Sequence, residues 1–332
     1  MEQTVSATTL PPTVRSLYYP VENDMARVDA LLREELNSKY EDVDQVLSHG
    51  IQLGGKRLRP ALLLLTAQAT GRITGDHHVL AVVVEMIHLA TLVHDDVLDE
   101  AELRRHKTTV NARWNNRTSV LLGDFLFSHA FYMASTLGST LACQAIGKST
   151  NLVCEGEMRQ VLNQGNWTLT EKEYMQIIDA KTAELCACCC LLGAQHAGAH
   201  KHQSDQMAAY GRWLGKAFQI IDDLLDVEGT EDKTGKTLGS DLRQRKATLP
   251  LIHALQQAQR PDRQQMLDAL ENETLTSADF NAWLDRFKSL DYARDKAHRY
   301  AIRARTIATE LSSSEAQAVL LQLTDFVLAR AS

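Results

Sequence analysis

"HHVLAVVVEMIHLATLVHDDVLD", residues 77–99, decides how the chain is read. No proline or glycine interrupts it, so it reads as one long apolar helix. The helix ends in three carboxylates, Asp95, Asp96 and Asp99. At about 100° per residue, Asp95 and Asp99 share one face, and Asp96 lies a quarter-turn round. Far along the chain, "IIDDLLDVE" at 220–228 repeats the arrangement with Asp222, Asp223 and Asp226. Two carboxylates one turn apart repel by a few tenths of a kcal/mol, more if partly buried. A cation between them removes that cost. Oxygen-only ligands suit Mg²⁺, which keeps several waters and shares its shell with substrate phosphates.

Outward from this helix the pattern stays helical. Met25, Val28, Leu31 and Leu32 form a stripe after Asn23, and Pro60 in "LGGKRLRPALLLLTAQATG" suits the first turn of a helix ending near Gly71. Further helices are predicted over about 118–137, 140–163, 171–195, 204–228 and 247–257, with more after Pro261. Nothing alternates as a strand does for more than a few residues. Pro11, Pro12 and Pro20 mark residues 1–22 as a flexible N-terminal arm, leaving 23–332 as one all-α domain.

Composition agrees. The 332 residues are 44% hydrophobic with only 6 prolines and 17 glycines, which suits a large helical core. The net charge of −7 argues against a nucleic-acid partner. No uninterrupted apolar run is long enough for a membrane span, and no secretory signal opens the chain, so a cytoplasmic protein is expected. Four of the six cysteines crowd into "LCACCCLLGA" (Cys186, Cys188, Cys189 and Cys190), as free thiols of a reducing compartment. On a helix Cys186, Cys189 and Cys190 fall along one apolar side with Leu185 and Leu192, as small packing residues. "HAGAHKH" offers His196 and His200 one turn apart, but no glutamate base accompanies them.

Basic residues accompany the acidic ones. Lys56, Arg57 and Arg59 stand at a helix start, where backbone N–H groups favour anions. Arg104 and Arg105 follow the first cluster, Lys181 sits in "DAKTAEL", and Lys233 and Lys236 follow the second. Such a mixture suits a site with metal on one diphosphate and arginines on another.

The ordered set "GGKRLRP", "MIHLATLVHDDVLDEAELRR", "LLGDFLF", "EGEMRQ", "AKTAEL", "GKAFQIIDDLLD" and "KTGKTLGSDL…KATLPL" resembles the trans-polyprenyl diphosphate synthases, the bacterial long-chain octaprenyl type in particular. The resemblance implies the isoprenoid synthase fold, a single helical bundle around a central apolar cavity, and a homodimer. It implies that Asp95, Asp96, Asp99, Asp222, Asp223 and Asp226 bind the allylic diphosphate (farnesyl or geranylgeranyl) with roughly two or three Mg²⁺ ions, Asp95, Asp99, Asp222 and Asp226 being the metal ligands. Arg104, Lys181, Thr182, Gln219 and Lys236 would complete the allylic pocket, and Lys56, Arg59, His88 and Arg105 would grip isopentenyl diphosphate. His94 is read as structural. Four positions depart from the family pattern: His106 and Arg245 stand where glycine is usual, with Ala247 for proline, and Ser240 replaces an acidic residue.

The implied chemistry is ionisation of the allylic C1–O bond, assisted by metal, followed by attack of the isopentenyl double bond and proton loss. No protein nucleophile is needed. The growing tail would run down the 77–99 helix past Thr91, Ala90, Ile87 and Val84. With no aromatic to close that tunnel, the expected product is about C30 to C50, centred near octaprenyl, for quinone side chains. Shorter-chain synthases (geranylgeranyl or farnesyl), a class I terpene cyclase and a non-catalytic partner subunit are the rival readings. A cyclase's second metal motif mixes Asn, Ser or Thr and Glu, and a silent subunit is expected to lack one acidic cluster.

Overall fold

The computed structural model describes residues 14–228 and 239–329. The helices are α1 (Glu22–Glu35), α2 (Glu41–Leu53), α3 (Leu58–Thr70), α4 (Gly75–Leu98), α5 (Val110–Arg113), α6 (Asn116–Thr136), α7 (Thr140–Leu162) and α8 (Glu171–Ile178). A π-helical turn, Asp179–Ala183, leads into α9 (Glu184–His196) and α10 (Lys201–Glu228). The chain closes with α11 (Ser240–Arg243), α12 (Leu249–Gln257), α13 (Arg260–Glu271), α14 (Ser277–Arg286), α15 (Ser289–Thr309) and α16 (Glu315–Ala329). Neighbours run α6–α4–α3–α9–α10–α15 through the bundle, with α1 against α4 and α16 across α3 and α15. This is the all-α isoprenoid synthase fold.

The apolar helix read from 77–99 starts two residues earlier. Thr74 caps it through a reciprocal pair in which the Thr74 N–H donates to Nδ1 of His77 at 3.0 Å. Its length and hydropathy would let it cross a membrane, yet 72% of that window is buried inside the protein, as befits a central helix. On α3, residues Pro60 to Ala67 are all buried.

Backbones approach closely around α9. A Cβ on Gly193 would lie 2.3 Å from the Leu63 carbonyl oxygen of α3, and one on Gly211 of α10 would lie 2.3 Å from that of Cys186. The cysteines are small enough for this packing. The expected single apolar side of α9 is corrected here: Cys188 is buried as well, because helices cover α9 on every side. Burial pushes the Cys188 and Cys190 thiols up to about 12, so both stay protonated and inert.

Two other expectations differ. Residues Val14–Val21 form a 3₁₀ helix against α3 and α16, with Leu17, Tyr18 and Val21 buried, so the packed domain begins before residue 23. Tyr18 is only 4% exposed. Residues 1–13 of the expected arm lie outside the described residues. A short hairpin, β1 (Leu103–Arg104) with β2 (Lys107–Thr108), interrupts the helices just after the first acidic cluster. Its two turn residues, Arg105 (φ 52°) and His106 (φ 62°), are both left-handed, as the tightest hairpins require. Non-glycine residues pay about 1–2 kcal/mol each for this, a cost that the glycine expected at 106 from the resemblance would avoid.

Candidate active site

The three aspartates at the end of α4 have different surroundings. Asp96 turns inward and is 1% exposed. Its Oδ1 accepts from Nε and Nη2 of Arg104, both at 2.8 Å, while Oδ2 is buried with no partner among the described residues. Burial pushes this carboxyl up, and Arg104 opposes the shift. The pair locks the hairpin onto α4. Arg104, read as a diphosphate ligand, is therefore held by Asp96. Asp95 and Asp99 are half-buried and each faces a lysine: Nζ of Lys181 lies 3.6 Å from Asp95, and Nζ of Lys246 lies 3.0 Å from Asp99. His94 accepts its structural role, its Nε2 lying 3.1 Å from the Val120 carbonyl oxygen.

The second cluster is divided in the same manner. Asp223 is buried and accepts from the Tyr174 hydroxyl (2.5 Å) and the Gln219 amide (2.8 Å). Burial first, and the charge of Asp241 next, push it up to about 8 against those hydrogen bonds. Asp222 and Asp226 are half-buried. Asp226 accepts from the backbone N–H groups of Ser240 (3.2 Å) and Asp241 (3.0 Å) and from the Ser240 hydroxyl (2.7 Å). That accounts for Ser240: a hydroxyl donates where an acidic side chain would repel.

The π-helical turn brings the two clusters together. Such a turn carries one extra residue and commonly marks a functional site. Here it aims successive side chains at both helix ends. Lys181 reaches Asp95, Glu157 (2.5 Å) and Gln160 (2.7 Å) on one side. Thr182 donates to Gln219 at 2.8 Å on the other, and Gln219 passes the link to Asp223. Lys246, beyond the second cluster, closes the loop back to Asp99. Lys233 and Lys236 lie outside the described residues.

Beside this acidic pair stands a basic group. Arg57 does not join it: the guanidinium binds Glu85 (2.5 Å) and Asp29 (3.2 Å) inside the protein. Glu85 is a lone acid in the apolar run "VVVEMI", and its need for a buried cation was a readable signal. Arg59 presents a buried Nε with no partner among the described residues. Arg105 donates to the Leu53 carbonyl oxygen (2.9 Å) and lies so close over Gly55 that a Cβ there would stand 2.5 Å from both its Nη atoms. Lys56 lies with its ammonium 5.9 Å from the Phe326 ring centre. His88 sits among these arginines, and burial, then Arg59, Arg105, Arg104 and Arg57, hold its imidazole well below the usual range. It is neutral at pH 7, able to donate one N–H and accept at the other nitrogen.

Of the expected tunnel residues, Val84, Ile87 and Ala90 are fully buried and Thr91 is half-buried. Thr91 donates its hydroxyl to the His88 carbonyl oxygen at 2.8 Å. Sequence reasoning missed Glu157, Gln160, Tyr174 and Lys246. "EGEMRQ" was noticed as a signature only, and nothing local distinguishes Tyr174 or Lys246.

Among the described residues no three His, Cys, Asp or Glu side chains gather into a protein-only metal cage. The donor set still fits a hard divalent ion that keeps its own waters: half-buried carboxylates at two helix ends, those of α4 paired with lysine ammonium groups.

Comparison with known proteins agrees with this architecture. Residues 40–286 match the polyprenyl synthetase family. The chain is 41% identical to octaprenyl diphosphate synthase of Escherichia coli (strain K12) over 244 residues, 74% of this chain and 75% of that one. The crystal structure of a decaprenyl diphosphate synthase from Rhodobacter capsulatus superposes with a TM-score of 0.90 at 34% identity, covering 96% of this chain and 100% of that one. A polyprenyl synthase from Caulobacter crescentus CB15, complexed with calcium and isoprenyl diphosphate, gives 0.90 and 34%, covering 98% and 100%. This chain belongs to the polyprenyl synthetase family. It is a prenyltransferase that makes a polyprenyl diphosphate.

The setting of His88 has a consequence for stability. An imidazole that resists protonation when folded gives stability that is complete above its ordinary value of 6.5 and is lost as pH falls below it, because the unfolded chain then binds the extra proton. Thermal melts from about pH 7.5 down to about pH 5 are expected to show a smaller loss for His88→Gln than for wild type. Parallel losses would show that the group titrates normally.

Proposed function

We propose that the enzyme condenses isopentenyl diphosphate onto farnesyl or geranylgeranyl diphosphate with Mg²⁺ and makes an all-trans product of about C30 to C50, octaprenyl being the centre of the range. The observation that carries this is that Lys181 and Lys246 reach Asp95 and Asp99 of the first acidic helix end, while Thr182, the residue after Lys181, is linked through Gln219 to Asp223 of the second. Carboxylates and ammonium groups thus stand together, which is the combination a metal-bound diphosphate needs. The structural relative holding calcium and isoprenyl diphosphate supports an oxygen-ligated divalent ion with such a substrate.

Each residue then has a task. When bound, Mg²⁺ on Asp95, Asp99, Asp222 and Asp226 supplies positive charge against the leaving diphosphate. Lys181 and Lys246 turn from the carboxylates to diphosphate oxygens, and Thr182 and Gln219 keep the π-helical turn registered on Asp223. Arg104, fixed by Asp96, stands with them, and the resemblance adds Lys236 to the same task. Arg59, with its spare Nε, joins Lys56, Arg105 and neutral His88 in holding isopentenyl diphosphate. As the allylic C1–O bond breaks, its electron pair leaves with the diphosphate. The isopentenyl double bond then forms the new bond to C1, and the departing diphosphate accepts the proton lost. Orientation of both reactants and apolar walls that exclude water supply the rest of the rate. The tail runs past Thr91, Ala90, Ile87 and Val84.

The whole chain acts as one catalytic domain, in the cytoplasm, as a homodimer. All six cysteines are free thiols, which fits a reducing compartment, and cell fractionation checks the location. Leu121 (68% exposed) and Tyr132 (63%) share one face of α6, and Leu141 (67%) and Leu162 (82%) stand out from α7. Apolar side chains this exposed favour an interface. Light scattering is expected to give twice the chain mass, and the monomer mass for Leu121→Asp/Tyr132→Asp. A wild-type monomer contradicts the dimer.

Radiolabelled isopentenyl diphosphate with farnesyl diphosphate and Mg²⁺ is expected to give long chains, which chromatography sizes. Asp95→Asn or Asp222→Asn is expected to lower kcat by about 10²–10³-fold, and Ala90→Phe or Thr91→Phe to shorten the product. No elongation by wild type overturns the assignment. Unchanged length in both aromatic variants overturns the tail route.

A further inference from the structure

Arg245 adopts φ 54°, the left-handed region, with a side chain that gains nothing sterically there. Strain of this kind persists where surrounding contacts over-determine the backbone. The contacts are specific. The Arg245 carbonyl oxygen accepts the Gly165 N–H at 2.8 Å, from the loop between α7 and α8. Its guanidinium lies 5.5 Å from the ring centre of buried Trp167 in the same loop. The same guanidinium pairs with Glu271 (3.2 Å) at the end of α13 and Glu273 (2.8 Å) just beyond. One side chain thus joins three segments that are distant in sequence.

The next residue is Lys246, whose backbone N–H donates to the Asp241 carbonyl oxygen at 2.8 Å and whose ammonium lies 3.0 Å from the Asp99 carboxylate. Lysine has four rotatable side-chain bonds and little intrinsic preference for one direction. A defined reach across the site therefore depends on where its backbone is anchored. Ion pairs with carboxylates as exposed as Glu271 and Glu273 (59% and 73%) contribute little to stability, so the network is poorly explained as a fold stabiliser.

We infer that Arg245 is a positioning residue: it clamps the loop that carries Lys246 onto the α7–α8 loop and the end of α13, and so aims Lys246 at the space between the two acidic helix ends. This rests on the proposed role of that space as the allylic diphosphate site. Arg245 touches no reacting atom; it acts through Lys246.

Arg245→Gly tests the clamp, since glycine adopts the observed backbone without strain. A second variant, Glu271→Ala/Glu273→Ala, frees the guanidinium without altering the loop backbone. Steady-state kinetics of the full chain with farnesyl diphosphate, isopentenyl diphosphate and Mg²⁺ are expected to show the farnesyl diphosphate KM rising about 5–10-fold in Arg245→Gly and about threefold in the double variant. The isopentenyl diphosphate KM and kcat should stay within about twofold, and the melting temperature within about 3 °C. Hydrogen exchange over residues 243–248 should quicken in both variants. An unchanged farnesyl diphosphate KM in both, or equal rises in both KM values with a matching fall in melting temperature, overturns the clamp. Wild type that fails to elongate in the same assay would instead remove the reading of the site itself.

Discussion

Like charges held close together at two helix ends are the constraint around which this protein is organised. Asp95 and Asp99 on α4, and Asp222 and Asp226 on α10, repel within each pair. The fold answers this repulsion from within. One carboxyl of each cluster is withdrawn from it, Asp96 onto Arg104 and Asp223 onto Tyr174 and Gln219. The remaining charges meet the ammonium groups of Lys181 and Lys246 and the N-terminus of α11. The carboxylates of α4 thus have cationic partners within the protein, carried on flexible side chains.

Close packing makes this geometry rigid. Between α3 and α10 the α9 backbone approaches its neighbours at glycine positions, with cysteines as the small side chains between them. The π-helical turn at the start of α9 is fixed by that packing and carries Lys181 and Thr182 with it. On the opposite side, the hairpin turn through Arg105 and His106 places Arg105 over Gly55, beside neutral His88. The acidic and arginine-lined regions are thus held by different elements, joined by α4.

Helix positions were largely legible, because apolar spacing and caps are local signals. Asp95, Asp99, Asp222 and Asp226 were legible for the same reason, their spacing being helical. What escaped depended on distant partners. Tyr18 is buried only because α3 and α16 cover it, and the two-residue strands exist only because the Arg105–His106 turn closes them. Arg57 looked like another anion ligand, and only Glu85 across the core shows otherwise. The departures at 106, 240 and 245 were visible as unusual residues. What they entail, two non-glycine side chains held on left-handed backbones and a hydroxyl donated to Asp226, required coordinates.

The central claim is that both acidic helix ends grip divalent cations around one pyrophosphate group. Crystals grown with Mn²⁺ and inorganic pyrophosphate, measured at the manganese absorption edge, address it directly. The account predicts anomalous peaks against Asp95 and Asp99 and against Asp222 and Asp226, with the pyrophosphate bridging them. Pyrophosphate bound with either carboxylate pair lacking a metal peak would contradict it.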